Sequence, residues 1–136
     1  MLGVKPGYNG TLFMTYYLTD ILKSISRYIK TVGFNGVIYS LLEDRHMAKN
    51  NNYTIDSLIS YASVCGCGVD MIPVPGDISK SEITSIILDI NALSTKLNKP
   101  LGVRILPIPH KKAGEFTNFK HSFMVNTKIR EIKCNN

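Results

Sequence analysis

Two thiols, two carboxylates, three glycines and two prolines fall within thirteen residues, Cys65-Gly-Cys-Gly-Val-Asp-Met-Ile-Pro-Val-Pro-Gly-Asp77. A thiolate at Cys65 would be a nucleophile, but a nearby carboxylate such as Asp70 works against its ionisation. Activation therefore needs a cation, for which Arg45, Arg104, Lys111 and Lys112 are the candidates. A small apolar side chain plugging a helix end explains either cysteine equally well. Pro75-Gly-Asp77 precedes a helix start, where unpaired backbone amides attract a phosphate or carboxylate. The same tripeptide also reads as a turn in which Gly76 supplies an unusual dihedral and Asp77 a cap.

Three further groups carry charge at places where a strand ends or runs. Glu43-Asp44-Arg45 offers two carboxylates and a guanidinium for acid–base work or anion binding, and reads equally as an exposed start to a helix. Arg104 lies in an apolar run, so it is expected to be buried and to pair with Asp70 or Asp77. Lys111 and Lys112 follow Pro107-Ile-Pro109 in a loop that suits phosphate recognition, or simply a solvated face. Cys65, Cys67, His110 and His121 have poor spacing for zinc, so no metal site is expected. The sequence holds no Walker loop, dinucleotide fingerprint or serine nucleophile elbow, which leaves the cofactor question unanswered.

These residues are positioned by a readable succession of elements. Leu18, Ile21, Leu22, Ile25, Tyr28, Ile29 and Val32 recur at helical spacing, predicting a helix over Tyr16–Val32 with that stripe inward. A short buried strand over Gly36–Ser40 follows. Thr54 or Asp56 caps a helix that ends at the cysteines, and Val69–Val74 forms a strand whose prolines suit an irregular or edge-like end. Ser79 and Glu82 form a capping box for a helix striped by Ile83, Ile86, Ile87, Ile90, Leu93 and Leu97. Leu101–Pro107 is the next strand, so residues 69–107 make a βαβ unit with parallel strands. The fold class is α/β, built from βαβ units with a mainly parallel sheet.

With 136 residues, the chain fits one domain, 1–136, whose last part, 110–136, is a basic segment. Hydrophobic residues make up 44% and charged residues 19%, a balance that folds rather than staying disordered. The net charge of +6 is lopsided. Residues 1–98 hold eight Lys or Arg against eight Asp or Glu, whereas residues 99–136 hold eight against two. Nucleic acid is disfavoured as partner, because the basic part lacks an RNA-recognition aromatic motif and the chain has no Trp. Three cysteines, two of them one glycine apart, do not make a secreted disulfide framework, and no long apolar run suggests a membrane span. A cytoplasmic protein with reduced thiols is the expectation. Its expected partners are a small anionic ligand and either a second copy or another chain.

Gly33-Phe-Asn-Gly36 leading to Leu42-Glu-Asp-Arg45, then Tyr53-Thr-Ile-Asp56, Val64-Cys-Gly-Cys-Gly-Val-Asp70, Pro73-Val-Pro-Gly-Asp77 and Leu106-Pro-Ile-Pro-His-Lys-Lys-Ala-Gly114 occur in this order. Together these motifs resemble the family known as domain of unknown function 711, also labelled pyruvate formate-lyase-like. The resemblance covers about residues 33–127 and implies the C-terminal portion of longer relatives. It further implies part of an α/β barrel related to glycyl-radical enzymes, with Cys65 at a family cysteine. A complete barrel needs more strands than this chain supplies, so a partner chain or second copy is expected to provide them. No glycine follows Gly114, which argues against radical chemistry by this chain.

Overall fold

A computed structural model describes residues 3–33 and 35–133; the last three residues of the basic segment lie outside the described residues. The elements run α1 (Thr11–Ile25), β1 (Tyr39–Ser40), α2 (Arg45–Lys49), α3 (Ile55–Cys65), β2 (Gly68–Pro75), α4 (Lys80–Leu97) and β3 (Gly102–Ile108). The three strands form one open parallel sheet in the order β1-β2-β3. Parallel neighbours need crossovers, and α4 provides the one between β2 and β3. The expected α/β class and βαβ unit are therefore present.

Local chemistry sets the helix limits. Ser79 accepts from the Glu82 amide while the Glu82 carboxylate takes the Ser79 amide, the reciprocal pair expected of a capping box. Thr54 and Ser57 do the same for α3, which ends at Cys65 because Gly66 turns left-handed at φ 65°. Leu58, Ala62 and Cys65 of that helix pack on Val69, Ile72 and Val74 of β2, and Ile86 and Ile90 of α4 join them. Beyond β3 the chain is irregular. It is tied back by Val125 N–H to Leu42 O at 2.8 Å and Arg130 N–H to Pro73 O at 2.9 Å.

The first helix departs from its expected form. It spans Thr11–Ile25 rather than Tyr16–Val32, and its buried residues are Thr11, Thr15 and Thr19. Ser24 and Ser26 hydroxyls donate to the carbonyls of Ile21 and Lys23, local bonds that compete with helix propagation. The threonine row faces inward because Thr15 meets the Tyr39 hydroxyl at 2.5 Å, beside a cluster in which the Tyr39 and Tyr61 ring centroids stand 5.1 Å apart. The expected apolar stripe is not buried, with Leu18, Ile21, Leu22 and Ile25 between 39% and 43% exposed, and Phe13, Tyr16 and Tyr17 of the same helix are about half exposed. Among the described residues no helix is long and apolar enough to cross a membrane.

Candidate functional site

The strand β2 separates the sequence-selected residues into three groups, at its start, its middle and its end. Cys65 and Cys67 stand at the start, and eight strand residues, about 25 Å of extended chain, lie between them and Gly76. Cys65 Sγ sits 3.8 Å from the carbonyls of Ala62 and Gly68 and accepts from the Cys67 amide at 3.4 Å. Both thiols are buried. The fold thus brings neither Cys65 nor Cys67 to the residues at the far end, and their contacts are those of a helix C-terminal plug.

Burial pushes the Cys67 thiol above its ordinary pKa, and it does the same to the Tyr39 and Tyr53 hydroxyls. Each of these acids keeps its proton in the folded chain at a pH where the unfolded chain has released it. The folded state then binds more protons, so this part of the stability is complete below about pH 9 and is lost as pH rises beyond it. Urea midpoints measured from neutral to strongly alkaline pH are expected to be level at first and then to fall. A midpoint that stays constant past the ordinary tyrosine range would contradict this account.

In the middle of β2 the register changes. Val69 pairs with Val103 and Ile72 with Ile105, so Asp70 and Met71 together oppose Arg104 alone, which is a β-bulge. Met71 carries the cost, with φ at 49°. The bulge aims Asp70 at Arg104: its two carboxylate oxygens accept from Nε and from Nη2, the latter at 2.6 Å. Glu43 Oε1 stands 3.7 Å from the same guanidinium. The hydrogen bond and then the charge of Asp70 raise the Arg104 pKa further, so the group is a fixed cation between two carboxylates.

Of the two partners expected for Arg104, the structure selects Asp70. The expected burial does not hold: the Arg104 side chain is 57% exposed because β3 is an edge strand, bordered among the described residues only by β2. Asp44 is taken up as the cap of α2, accepting from the amides of His46 at 2.8 Å and Met47 at 2.7 Å. Arg45 is exposed on the first turn of that helix. The cluster Glu43, Asp70 and Arg104 keeps one net negative charge, with its only cation engaged by Asp70.

At the end of β2, Gly76, Asp77, Lys111 and Lys112 do come together. With Pro109 and His110 they line a cavity of about 350 Å³. The Gly76 amide donates to Lys111 O at 3.0 Å, and a Cβ at Gly76 would fall 2.3 Å from Ile108 O, so only glycine allows the two loops to touch. His110 holds φ 61°, a strained position on the rim. Lys111 Nζ lies 3.7 Å from Glu115, while Lys112 makes no ion pair among the described residues. Asp77 adds one negative charge to the wall.

One expected contribution is absent from this cavity. The start of α4 was to offer free amides to an anion, but Glu82 places its own carboxylate there, and the Ser79 amide holds that carboxyl below its usual pKa. Sequence reasoning also assigned His110 no ligand-facing role here. The signal for it was its place between Pro109 and Lys111, at the tip of the loop that follows β3.

Comparison with known proteins bears on the whole chain. The family described as Uncharacterised ACR (DUF711) matches residues 1–125, reaching ahead of residue 33, where the sequence motifs first resembled it. The chain belongs to the DUF711 family. A UPF0210 protein of Pyrobaculum arsenaticum is 34% identical over 117 residues, which are 82% of this chain and 26% of that protein. UPF0210 proteins of Clostridium perfringens and Methanocaldococcus jannaschii are 36% and 37% identical, over 83% and 85% of this chain and again 26% of theirs. This DUF711 chain therefore spans about a quarter of the length of the curated relatives it matches. No solved structure matches it.

Proposed function

We propose that this DUF711 chain binds a small phosphate- or carboxylate-bearing metabolite, in the cytoplasm, at the C-terminal end of its parallel strands. The supporting observation is the single cavity shared by Gly76, Asp77, Lys111, Lys112 and His110, at the edge where open α/β sheets commonly seat ligands. Lys112 supplies the unpaired positive charge and the Gly76 turn fixes the distance between the two walls. Asp77 selects for a ligand that also carries a hydrogen-bond donor. No catalytic step is part of this reading, since Cys65 lies at the opposite end of β2.

A thermal-shift panel of phosphorylated and carboxylated metabolites tests it. A ligand at about a hundred times its Kd is expected to add about 2.7 kcal/mol of stability. Lys112→Gln should weaken that ligand about tenfold while leaving the unliganded melting point unchanged, because Lys112 is exposed. A panel in which no compound raises the melting point, or a stabilising ligand indifferent to Lys112→Gln, would reject the reading.

A second reading, association without catalysis, is favoured by the outward apolar stripe of α1 and the open edge of β3. In longer relatives the equivalent surfaces would be covered by the additional polypeptide. In this chain a second copy, or a chain supplying the other three quarters, would cover them. The pyruvate formate-lyase-like barrel belongs to this reading: three parallel strands open at the β3 edge are a segment to which more strands can be added.

A further inference from the structure

A cavity of about 470 Å³ opens where α3 begins, lined by none of the residues that the sequence singled out for chemistry. Its wall includes Thr54, Ile55 and Asp56 from the start of that helix and Lys128, Arg130 and Lys133 from the C-terminal segment. Arg130 is only 6% exposed, and burial draws its pKa down. Among the described residues no carboxylate stands within ion-pair distance of it. Its Nη2 donates to Asn50 O at 3.2 Å and to Thr127 Oγ1 at 3.3 Å, whereas its Nε is buried with no acceptor. A guanidinium taken out of water without a carboxylate is costly, and an anion bound beside it removes that cost.

The helix start contributes independently. The α3 capping box employs the amides of Thr54 and Ser57. Those of Ile55 and Asp56, between them, make no hydrogen bond among the described residues, and both residues border the cavity. Two unpaired amides at the positive end of an eleven-residue helix and a planar cation, whose Nη2 alone is engaged by Asn50 and Thr127, therefore border one cavity.

We infer that this cavity is an oxyanion site, in which a phosphate or carboxylate group of a small molecule is held between the Arg130 guanidinium and the amides of Ile55 and Asp56. Lys128 and Lys133 add positive charge, and Asp56 and Glu131 oppose it, so three cations face two carboxylates. That balance suits a single oxyanion group, or one carried on a molecule that also bears an ammonium, and disfavours a polyphosphate. The site shares no lining residue with the Gly76 cavity and does not depend on it.

An amide-resolved NMR titration of the whole chain with inorganic phosphate, and separately with acetate, tests the inference and tells the two oxyanion sources apart. Saturable shifts of the Ile55 and Asp56 amides are expected with at least one of them. Arg130→Lys, which keeps the charge and loses the planar fork, should raise the titration midpoint about tenfold. Should that variant not fold, Lys128→Gln with Lys133→Gln is expected to raise the midpoint about threefold, by removing two cations from the wall. Ile55 and Asp56 amides unmoved by about 50 mM of either anion would overturn the site. So would a midpoint unchanged both in folded Arg130→Lys and in the lysine pair. Shifts confined to Gly76, Asp77 and the Lys111 loop would support the proposed function and reject this site, so the two fail separately.

Discussion

Gly68→Ala is expected to destabilise the chain by at least about 3 kcal/mol and to leave little folded protein at ordinary temperature. Gly68 opens β2 at φ 112°, a region closed to side-chain-bearing residues, and its added Cβ would lie 2.0 Å from the Gly102 carbonyl oxygen. That oxygen belongs to β3, which is held at this point by Gly102 N–H to Cys67 O at 2.9 Å. Neither strand can step back, because Val69 and Val103 pair immediately after and fix the register. Gly102→Ala at the facing position has an ordinary dihedral and its nearest neighbour at 3.4 Å, so it should cost far less. Urea midpoints for the two variants provide the measurement. Equal midpoints would mean that the strands separate freely there and that the close approach is not required.

Self-association governed by α1 is the second large effect. Leu12, Phe13, Tyr16, Tyr17, Ile21 and Leu22 are between 39% and 53% exposed on one helix, an apolar surface that water opposes. Removing three such side chains from a buried interface forfeits about 1.5 kcal/mol each, which lowers an association constant about a thousandfold. The chain is thus expected to sediment as an oligomer, and Phe13→Lys, Tyr17→Lys and Ile21→Glu together as a monomer with an unchanged helical spectrum. These positions point away from Thr15 and the tyrosine cluster, so folding should survive. A parent chain that remains monomeric at about 100 μM would remove the basis for the associating reading.

Both effects arise at places that the linear pattern does not reveal. The capping box at Ser79 and Glu82 and the stop at Gly66 were legible because each is settled within four residues. The parallel βαβ unit was legible because strand, helix and strand follow in sequence and the crossover has one favourable hand. The pairing of Arg104 could be narrowed to two carboxylates but not to one, since the choice depends on a bulge that adds a residue between Val69 and Ile72. The α1 stripe was legible as a stripe, but its direction was not: periodicity identifies an apolar face without saying what that face meets. Arg130 was one basic residue among eight in the last quarter, and only its burial separates it from the others.

The amino-acid sequence by itself determined the α/β class, the order and most limits of the central elements, and the resemblance to DUF711, because those rest on interactions between near neighbours or on motif identity. Tertiary structure alone decided that the thiols and the Gly76 turn stand at opposite ends of one strand, that Asp70 captures Arg104, and that a buried arginine borders the same cavity as a helix start 75 residues before it. Such meetings between distant residues are set by how helices pack on a sheet and where a strand bulges. No local propensity encodes them.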